Sequence, residues 1–529
     1  MVILQNATYI HPNKDILFHD LNLVLNPQDK LALIGNNGTG KSTLLQIIAG
    51  RLPLSSGQLQ VGSTPYYIPQ LLDSYNDWTI AEALGIATKL QAFLAILDGE
   101  ATPENMAELN DDWTIEDRSK QALEHWQLHG IDLNQKLGTL SGGQKTKVFL
   151  AGIDIQQPDL ILMDEPSNHL DYPARELLYD FIRETNKSLL IVSHDRTLLN
   201  ILPEIAEMSK SGITRYGGNY AFYAEQKGIA LSALDHDVKA KEKELRKAKE
   251  KEREALERQN KLNARGKKKQ EKAGIPKILM GGLKNKAEGS SSKLKGIHQD
   301  KISGIKERLQ DLRTHLPEID QMKFGFQQSG LHLGKTLIEA DAINYQINGK
   351  NLWSSDLSFQ INYGDRYALK GMNGSGKTTL IKLLLGEYLP TTGTLKRAPI
   401  NAIYVDQDYS LIKSNLSVYE MAQSFNTAAL QEHEVKIRLN RFLFGKETWD
   451  KSCTFLSGGE RMRLLLCCLN IASQAPDLIV LDEPTNNIDI QNITILTSAI
   501  QSYQGTLIVV SHDQYFLEEV EVTKEIALF

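Results

Sequence analysis

The sequence contains few cysteines and has no long apolar run. Its three cysteines, Cys453, Cys467 and Cys468, lie in one region and form no pair at metal-ligand spacing. Neither a disulfide framework nor a zinc site is therefore predicted. The apolar runs are far shorter than the ~20 residues that a membrane-spanning helix needs, and no export signal opens the chain. We therefore expect a cytoplasmic protein that contacts no membrane.

Basic charge is in excess in only one segment. The whole chain has a formal net charge of −6, but residues 239–313 carry 24 Lys and Arg against 11 Asp and Glu. This segment has a net charge of +13, which leaves −19 for the rest of the chain. Such a contrast predicts one localised element that binds a polyanion. A chain of 529 residues also exceeds the size of a single core, which predicts several domains.

One ordered set of motifs occurs twice along the chain. The two phosphate-loop sequences are GNNGTGKST at 35–43 and GMNGSGKTT at 371–379. Each is followed by a glutamine, an LSGG sequence, a strand that ends in Asp-Glu, and the sequence SHD. The first copy is 20 residues longer between its lysine and its LSGG serine, and we expect a short helical arm at about 90–117. The repeat predicts two domains of the same fold.

Each GxxxxGK[ST] sequence follows an apolar strand and opens an apolar helix. Its glycines let backbone amides turn toward phosphate oxygens at the start of the helix. Lys41 and Lys377 then reach the β- and γ-phosphates, and Ser42 and Thr378 ligate magnesium. An ordinary glycine-rich turn does not account for two such loops in the same strand-loop-helix context. The sequence therefore predicts two sites for ATP and Mg²⁺.

Paired acids end two apolar strands, at Asp164-Glu165 and Asp482-Glu483. Carboxylates at the carboxyl edge of a parallel sheet are well placed to serve a bound nucleotide. We assign Asp164 and Asp482 to the water shell of magnesium, and Glu165 and Glu483 to polarising the attacking water as general bases. His194 and His512 follow these glutamates at the same offset of 29 residues and are predicted to contact the γ-phosphate. A purely structural histidine does not explain that repetition.

Together these motifs resemble those of the ATP-binding cassette superfamily, in which the signature of one cassette completes the ATP site of the other. By this resemblance, site one combines Lys41, Ser42, Gln70, Glu165 and His194 with Ser457, Gly458 and Gly459. Site two combines Lys377, Thr378, Gln407, Glu483 and His512 with Ser141, Gly142 and Gly143. The remaining predicted ATP contacts are Gly35, Asn36, Asn37, Gly38, Thr39, Gly40, Thr43, Gln144, Gly371, Met372, Asn373, Gly374, Ser375, Gly376, Thr379 and Glu460. The predicted magnesium residues are Ser42, Gln70, Asp164, Thr378, Gln407 and Asp482.

Tandem cassettes joined by a basic segment resemble the ABC-F subfamily of translation factors. The phrases SNHLD at 167–171 and YGGNYAFY at 216–223 carry the same resemblance. It implies a partner, the ribosome, bound at the tRNA exit site in the ATP-closed form and released on hydrolysis. The linker would contact rRNA and the P-site tRNA, and the role would be translation regulation or antibiotic protection. The predicted nucleic-acid contacts are Arg265, Lys267, Lys268, Lys269, Lys277, Lys284 and Lys286.

Two other functions share parts of this pattern. The ATPase subunit of a transporter with separately encoded membrane subunits has the same cassette motifs, but it has no obvious use for a long basic segment. A DNA-repair ATPase could use a basic linker, but the cysteines offer no zinc hook. The predicted fold is α/β, with two P-loop cassettes of mostly parallel sheet joined by an α-helical hairpin. The predicted domains are 1–229, the linker 230–320 and 321–529, with both cassettes of one chain forming a head-to-tail sandwich.

Overall fold

The protein is described here by a computed structural model, which covers residues 1–70, 72–209, 212–272, 296, 299–312 and 330–528. The chain divides into two compact units. One unit comprises Met1–Tyr223 together with Met322–Phe529, and so contains both cassettes, and the other is Ala224–Gln321. Within the described ranges, no helix is long and apolar enough to cross a membrane.

The first cassette contains nine strands and eight helices in its described residues. The strands are β1 Val2–Ile10, β2 Ile16–Leu25, β3 Lys30–Ile34, β4 Ser56–Val61, β5 Tyr66–Ile68, β6 Leu160–Asp164, β7 Ser188–Val192, β8 Glu204–Ser209 and β9 Gly212–Tyr216. The helices are α1 Lys41–Ile48, α2 Ile80–Ala83, α3 Ala87–Leu97, α4 Pro103–Leu109, α5 Ile115–His125, α6 Gly142–Gln156, α7 Tyr172–Glu184 and α8 Arg196–Ile201. Helices α3 and α4 occupy the region in which the sequence predicts the short helical arm.

A six-stranded sheet forms the centre of the first cassette, in the order β5-β6-β7-β3-β8-β9. All neighbouring strands are parallel except β8 and β9. Its central strands β6 and β7 are fully buried, as expected when both faces of a parallel sheet are covered. Helix α1 packs between one face of this sheet and the three-stranded antiparallel sheet β2-β1-β4. This packing fixes the end of α1 at which the first phosphate loop lies.

The linker segment contains two helices, α9 Tyr220–Lys272 and α10 at 299–312. Helix α9 begins ahead of residue 230, the linker boundary that the sequence suggests. Val238 of α9 and Ile302 and Ile305 of α10 are buried, although most of the segment is polar. A hydrogen bond from Lys241 lowers the pKa of Glu244 in α9, and the charges of Lys241 and, more weakly, of Lys301 in α10 lower that pKa further. The two helices therefore lie side by side over at least part of their length.

The second cassette repeats this architecture. Its strands are β10 Thr336–Asn344, β11 Gln346–Ile347, β12 Lys350–Asn351, β13 Leu357–Asn362, β14 Arg366–Gly371, β15 Thr392–Arg397, β16 Ala402–Val405, β17 Leu478–Asp482, β18 Thr506–Val510 and β19 Lys524–Leu528. Its helices are α11 Lys377–Leu385, α12 Val418–Ser424, α13 Glu432–Arg441, α14 Gly458–Ile471, α15 Ile490–Ser502 and α16 Gln514–Glu519. The central sheet is parallel throughout, in the order β16-β17-β18-β14-β19, and β13-β10-β15 form the antiparallel sheet. The predicted α/β fold with two P-loop cassettes is confirmed.

Candidate ATP sites

The first phosphate loop, residues 35–43, connects the end of β3 to the start of α1. Gly40 precedes the helix at φ 98°, and an added Cβ there would come within 2.8 Å of the Phe18 ring, so only glycine fits. No side chain caps this end of α1, which leaves its first amide groups directed into the loop. The second loop, residues 371–379, has the same construction, with Gly376 at φ 89° before α11. Both loops can therefore present backbone amides to phosphate oxygens.

The two predicted phosphate-binding lysines are enclosed by their own loops. Lys41 donates hydrogen bonds to the carbonyls of Gly35, at 2.6 Å, and Asn36, at 3.1 Å. Lys377 donates in the same way to Gly371, at 2.7 Å, and Met372, at 3.0 Å. Burial lowers the pKa of both amines, and nearby acidic groups oppose that shift. Each phosphate loop therefore holds the ammonium group of its lysine next to the space that its glycines leave open for phosphate.

Each predicted catalytic glutamate lies against its predicted histidine. The Nε2 atom of His194 is 3.5 Å from Oε1 of Glu165, and the equivalent distance from His512 to Glu483 is 3.4 Å. Both glutamates adopt left-handed backbone angles, with φ of 52° for Glu165 and 49° for Glu483. Such angles are uncommon for residues other than glycine and concentrate at functional sites. The sharp turn places each carboxylate at the end of its strand, close to the histidine that follows the neighbouring strand.

Burial dominates the electrostatics of these groups. It raises the pKa of Glu165 to about 8, with a further contribution from the charge of Asp164, and that of Glu483 to about 7. It also lowers the pKa of His512 to about 4 and that of His194 well below its ordinary value. The cause is the cost of desolvating the charged form of each group. Neutral histidines can hydrogen-bond to a phosphate oxygen without titrating near neutral pH.

The side chains around Asp164 suit a magnesium ion. Burial raises the pKa of Asp164 to about 6, and a hydrogen bond from the Ser42 hydroxyl lowers it in part. Oδ1 of Asp164 is buried and has no hydrogen-bond partner among the described residues. At site two, the same holds for Oε2 of Glu483. Buried carboxylate oxygens without partners, next to a hydroxyl, are the oxygen ligands that Mg²⁺ or its water shell prefers. The residues present therefore fit this ion.

Site one is an open cleft of about 470 Å³ lined by both cassettes. The first cassette supplies the phosphate loop with Lys41 and Ser42, together with Gln70, Asp164, Glu165 and His194, and the second supplies Ser457, Gly458 and Asn487. Seven of the eight residues that the sequence assigns to this site thus share one cleft. Gly459 does not line it. His11 does, and it packs edge-on against Tyr9 at a centroid distance of 5.5 Å.

At site two, the first cassette meets the second phosphate loop. Nδ2 of Asn373 donates to the backbone carbonyl of His169 at 3.2 Å. A Cβ added at Gly143 would lie 3.7 Å from the same Asn373 amide and only 2.6 Å from the His169 carbonyl. The LSGG sequence of the first cassette is therefore packed beside the loop of the second. Gln407 lies in an exposed turn after β16.

The signature serines begin the helices that follow them. Ser141 accepts a hydrogen bond from the amide of Gln144, whose side chain accepts from the amide of Ser141. Ser457 and Glu460 make the same reciprocal pair at the start of α14. These capping boxes use the side chains of Gln144 and Glu460, both predicted as ATP contacts, to hold the serine in place.

Sequence reasoning missed two interface loops, residues 167–171 and 485–489. Asp489 accepts a hydrogen bond from the Asn37 amide at 2.9 Å, and Asn168 donates to Asn487 at 3.3 Å. The signal was present, because both loops follow an Asp-Glu-Pro sequence and end in an aspartate at the same offset.

Comparison with known proteins agrees with this geometry. The model of a family described as ABC transporter matches residues 18–168 and 354–486, once in each cassette. The chain belongs to the ATP-binding cassette family. It is 30% identical to the ATP-binding protein Uup of Haemophilus influenzae over 98% of this chain and 77% of that protein. It is 29% identical to the putative ATP-binding protein YdiF of Bacillus subtilis over 98% of this chain and 79% of that protein.

Solved structures show the same tandem fold. The archaeal ribosome recycling factor aABCE1, solved with the ribosomal stalk protein aP1, matches with a TM-score of 0.59 at 19% identity over 97% of this chain and 86% of that one. A structure named RNase-L Inhibitor matches with a TM-score of 0.60 at 18% identity, over 98% of this chain and 87% of that one. With the two cassettes and its Uup-type relatives, this ABC protein falls in the ABC-F subfamily. It is an ATPase that uses ATP and Mg²⁺.

Proposed function

We propose that this ABC-F protein is an ATP-driven clamp that binds the ribosome in its ATP-closed form and leaves after hydrolysis. It would act in the cytoplasm at the tRNA exit site, where its linker contacts rRNA and the P-site tRNA. There it would regulate translation or protect the ribosome from antibiotics. The observation that carries this proposal is the position of the strongly basic segment 239–313 between two cassettes that build composite ATP sites.

The chemistry at each site follows from the residues that share it. Glu165 and Glu483, each hydrogen-bonded to the amide of its histidine, would orient the attacking water and accept its proton. When bound, Mg²⁺ would offset the charge of the phosphate oxygens. Asp164 and Asp482, with Ser42 and Thr378, would hold that ion and its waters.

ATP would also hold the cassettes together. Its γ-phosphate would lie between the lysine of one cassette and the signature serine of the other, so that both cassettes gain contacts only while it is present. The amides at the starts of α6 and α14 are suited to that role, because the capping boxes fix the serines that precede them. Hydrolysis removes the shared group and weakens the closed form, and binding and release of a partner can follow this switch.

The linker would supply the contact with nucleic acid. Helix α9 is rich in Lys and Arg, and the side chain of Arg265 is exposed. The backbone of Lys267, Lys268 and Lys269 is helical, whereas the other predicted contacts, Lys277, Lys284 and Lys286, lie outside the described residues. Basic side chains along a helix bind phosphates without reading sequence, and such binding weakens as salt rises.

The test is co-sedimentation of the E165Q/E483Q variant with ribosomes in ATP or ADP at several salt concentrations. We expect pelleting that requires ATP and declines with salt. Replacing Lys267, Lys268 and Lys269 with Glu should abolish ribosome stimulation of ATPase activity and spare basal hydrolysis, and replacing them with Arg should preserve both. Equal pelleting in ATP and ADP, or none in either, contradicts the proposal.

A further inference from the structure

Arg196, a buried arginine two residues after His194, makes ionic contacts from the first cassette to the second. We define the switch loops as residues 194–196 and 512–514, each of which begins with the histidine that contacts a catalytic glutamate. Arg196, at the end of the first loop, is 6% exposed. Its Nη1 atom donates to both carboxylate oxygens of Glu519 in the second cassette, at 2.8 and 2.9 Å. Its Nη2 atom donates to Asp513 of the second switch loop at 3.3 Å.

Neighbouring groups hold this ion pair in place. Glu519 also accepts a hydrogen bond from the Thr497 hydroxyl at 3.4 Å. The Tyr515 ring lies 5.5 Å from the guanidinium of Arg196, and its hydroxyl accepts from Asn200 at 2.7 Å. One guanidinium thus bridges two carboxylates of the second cassette, through Nη1 to Glu519 and through Nη2 to Asp513, and hydrogen bonds between charged groups are stronger than those between neutral groups.

The equivalent position in the second cassette cannot make this contact. Gln514 occupies the position that corresponds to Arg196, two residues after the histidine. Ile201 of the first cassette corresponds to Glu519, seven residues after the histidine. A contact in the opposite direction would therefore pair a neutral amide with an aliphatic side chain. The ionic link between the switch loops is one-sided.

The two aspartates that follow the histidines show the same asymmetry. Asp195 accepts from the Tyr179 hydroxyl at 2.6 Å and lies 3.7 Å from Arg175, both in its own cassette. In the second cassette, Ile493 and Thr497 stand at the positions of Arg175 and Tyr179. Asp513 therefore pairs with the guanidinium of Arg196 in the first cassette. Both aspartates depend on arginines of the first cassette.

We propose that Arg196 is a positioning residue that ties the two switch loops together, so that the two ATP sites close and hydrolyse as a coupled pair. When His194 shifts on gaining or losing its γ-phosphate contact, Arg196 shifts with it because only one residue separates them. Asp513 is bonded to Arg196 and adjacent to His512, so the shift reaches the second site. Coupling of this kind needs an element that both sites bias, and the Arg196 ion pair is such an element.

The experiment compares single-site variants in two backgrounds, and it depends on the proposed roles of Glu165 and Glu483. In the parent protein, E165Q or E483Q alone should lower kcat about tenfold, because a blocked site also holds back its neighbour. R196Q places in the first switch loop the glutamine that the second loop carries at this position. In the R196Q background, E165Q or E483Q should each leave about half of the R196Q rate, as expected for independent sites. The same fractional loss in both backgrounds would overturn the proposal.

Further variants separate positioning from stability. R196K keeps the charge and should retain part of the coupling. The side chain of Glu519 is 42% exposed, so E519Q should weaken coupling without preventing folding. If R196Q does not fold, E519Q tests the proposal in its place. R183Q breaks the exposed pair of Arg183 with Asp180 inside α7 and should leave coupling unchanged.

ATP binding provides a readout that does not depend on the catalytic glutamates. The parent should bind ATP with a Hill coefficient above 1, and R196Q should lower that coefficient toward 1. An unchanged coefficient in R196Q and E519Q would contradict the proposal. Full turnover in the E165Q/E483Q double variant would instead show that the glutamates are wrongly assigned, and the Hill coefficient would then still test the link.

Discussion

Asp489 of the second cassette accepts a hydrogen bond from the backbone amide of Asn37, in the phosphate loop of the first, at 2.9 Å. Its other carboxylate oxygen accepts from the amide of Asn492, the bond that caps α15. One side chain therefore holds a helix of one cassette against the nucleotide loop of the other. Asn373 makes a related contact at site two, where it donates to the His169 carbonyl.

Replacing Asp489 with alanine should weaken both contacts. We expect a loss of about 1 kcal/mol of stability from the missing cap and a severalfold fall in kcat/KM from a less well held phosphate loop. Asparagine retains an oxygen acceptor and is a good N-cap, so D489N should lie between the parent and D489A. Thermal melts and steady-state ATPase kinetics measure the two effects. If D489A kept the parental kcat/KM, the contact would have no part in nucleotide binding.

The second glycine of the first LSGG sequence allows α6 to pack closely against the residue 167–171 loop of the same cassette, beside the second phosphate loop. Because a Cβ at Gly143 would lie 2.6 Å from the His169 carbonyl, G143A must push α6 away from the residue 167–171 loop. We expect a loss of about 1–3 kcal/mol and a marked fall in hydrolysis at site two. Nothing lies within 4 Å of a Cβ added at Gly212, so G212A is the matched control. A G143A protein as active as G212A would refute this packing.

The three cysteines should be unreactive in the folded protein. All three are buried, and burial raises the pKa of each thiol. Because the thiolate is the reactive form, a thiol reagent at pH 8 should label none of them before unfolding and all three in denaturant. A raised folded pKa favours the folded state below the unfolded value of ~8.5 and loses that contribution as pH rises above it. Rapid labelling of the native protein would contradict the burial of this region.

The motifs that act locally could be predicted from the sequence. The phosphate loops, the strand-end acids and the histidines each depend on a strand, a turn and a helix close together in the chain, and the structure places them accordingly. The pairing of His194 with Glu165 also follows, because their strands are neighbours in a parallel sheet. The fold class follows for the same reason, because both halves carry the strand-loop-helix motifs that resemble those of ATP-binding cassettes.

Contacts between the cassettes could not be predicted in detail. The sequence indicates that a signature completes the opposite site, but nothing in it pairs Asp489 with Asn37 or Arg196 with Glu519. These bonds depend on how two surfaces meet. Position-by-position comparison of the two cassettes could have pointed to Arg196, because Gln514 replaces it in an otherwise similar loop. Such a difference identifies a position, but only the structure supplies its partner.

We conclude that one chain forms two composite ATP sites. The most direct test counts the ATP molecules retained per chain by the E165Q/E483Q variant after free nucleotide is removed. We expect two, and we expect fewer than two after Ser457 is also replaced with arginine, because Ser457 completes site one and a site one that cannot close also holds back site two. Two retained molecules in the triple variant, or a single one in the double variant, would contradict this conclusion.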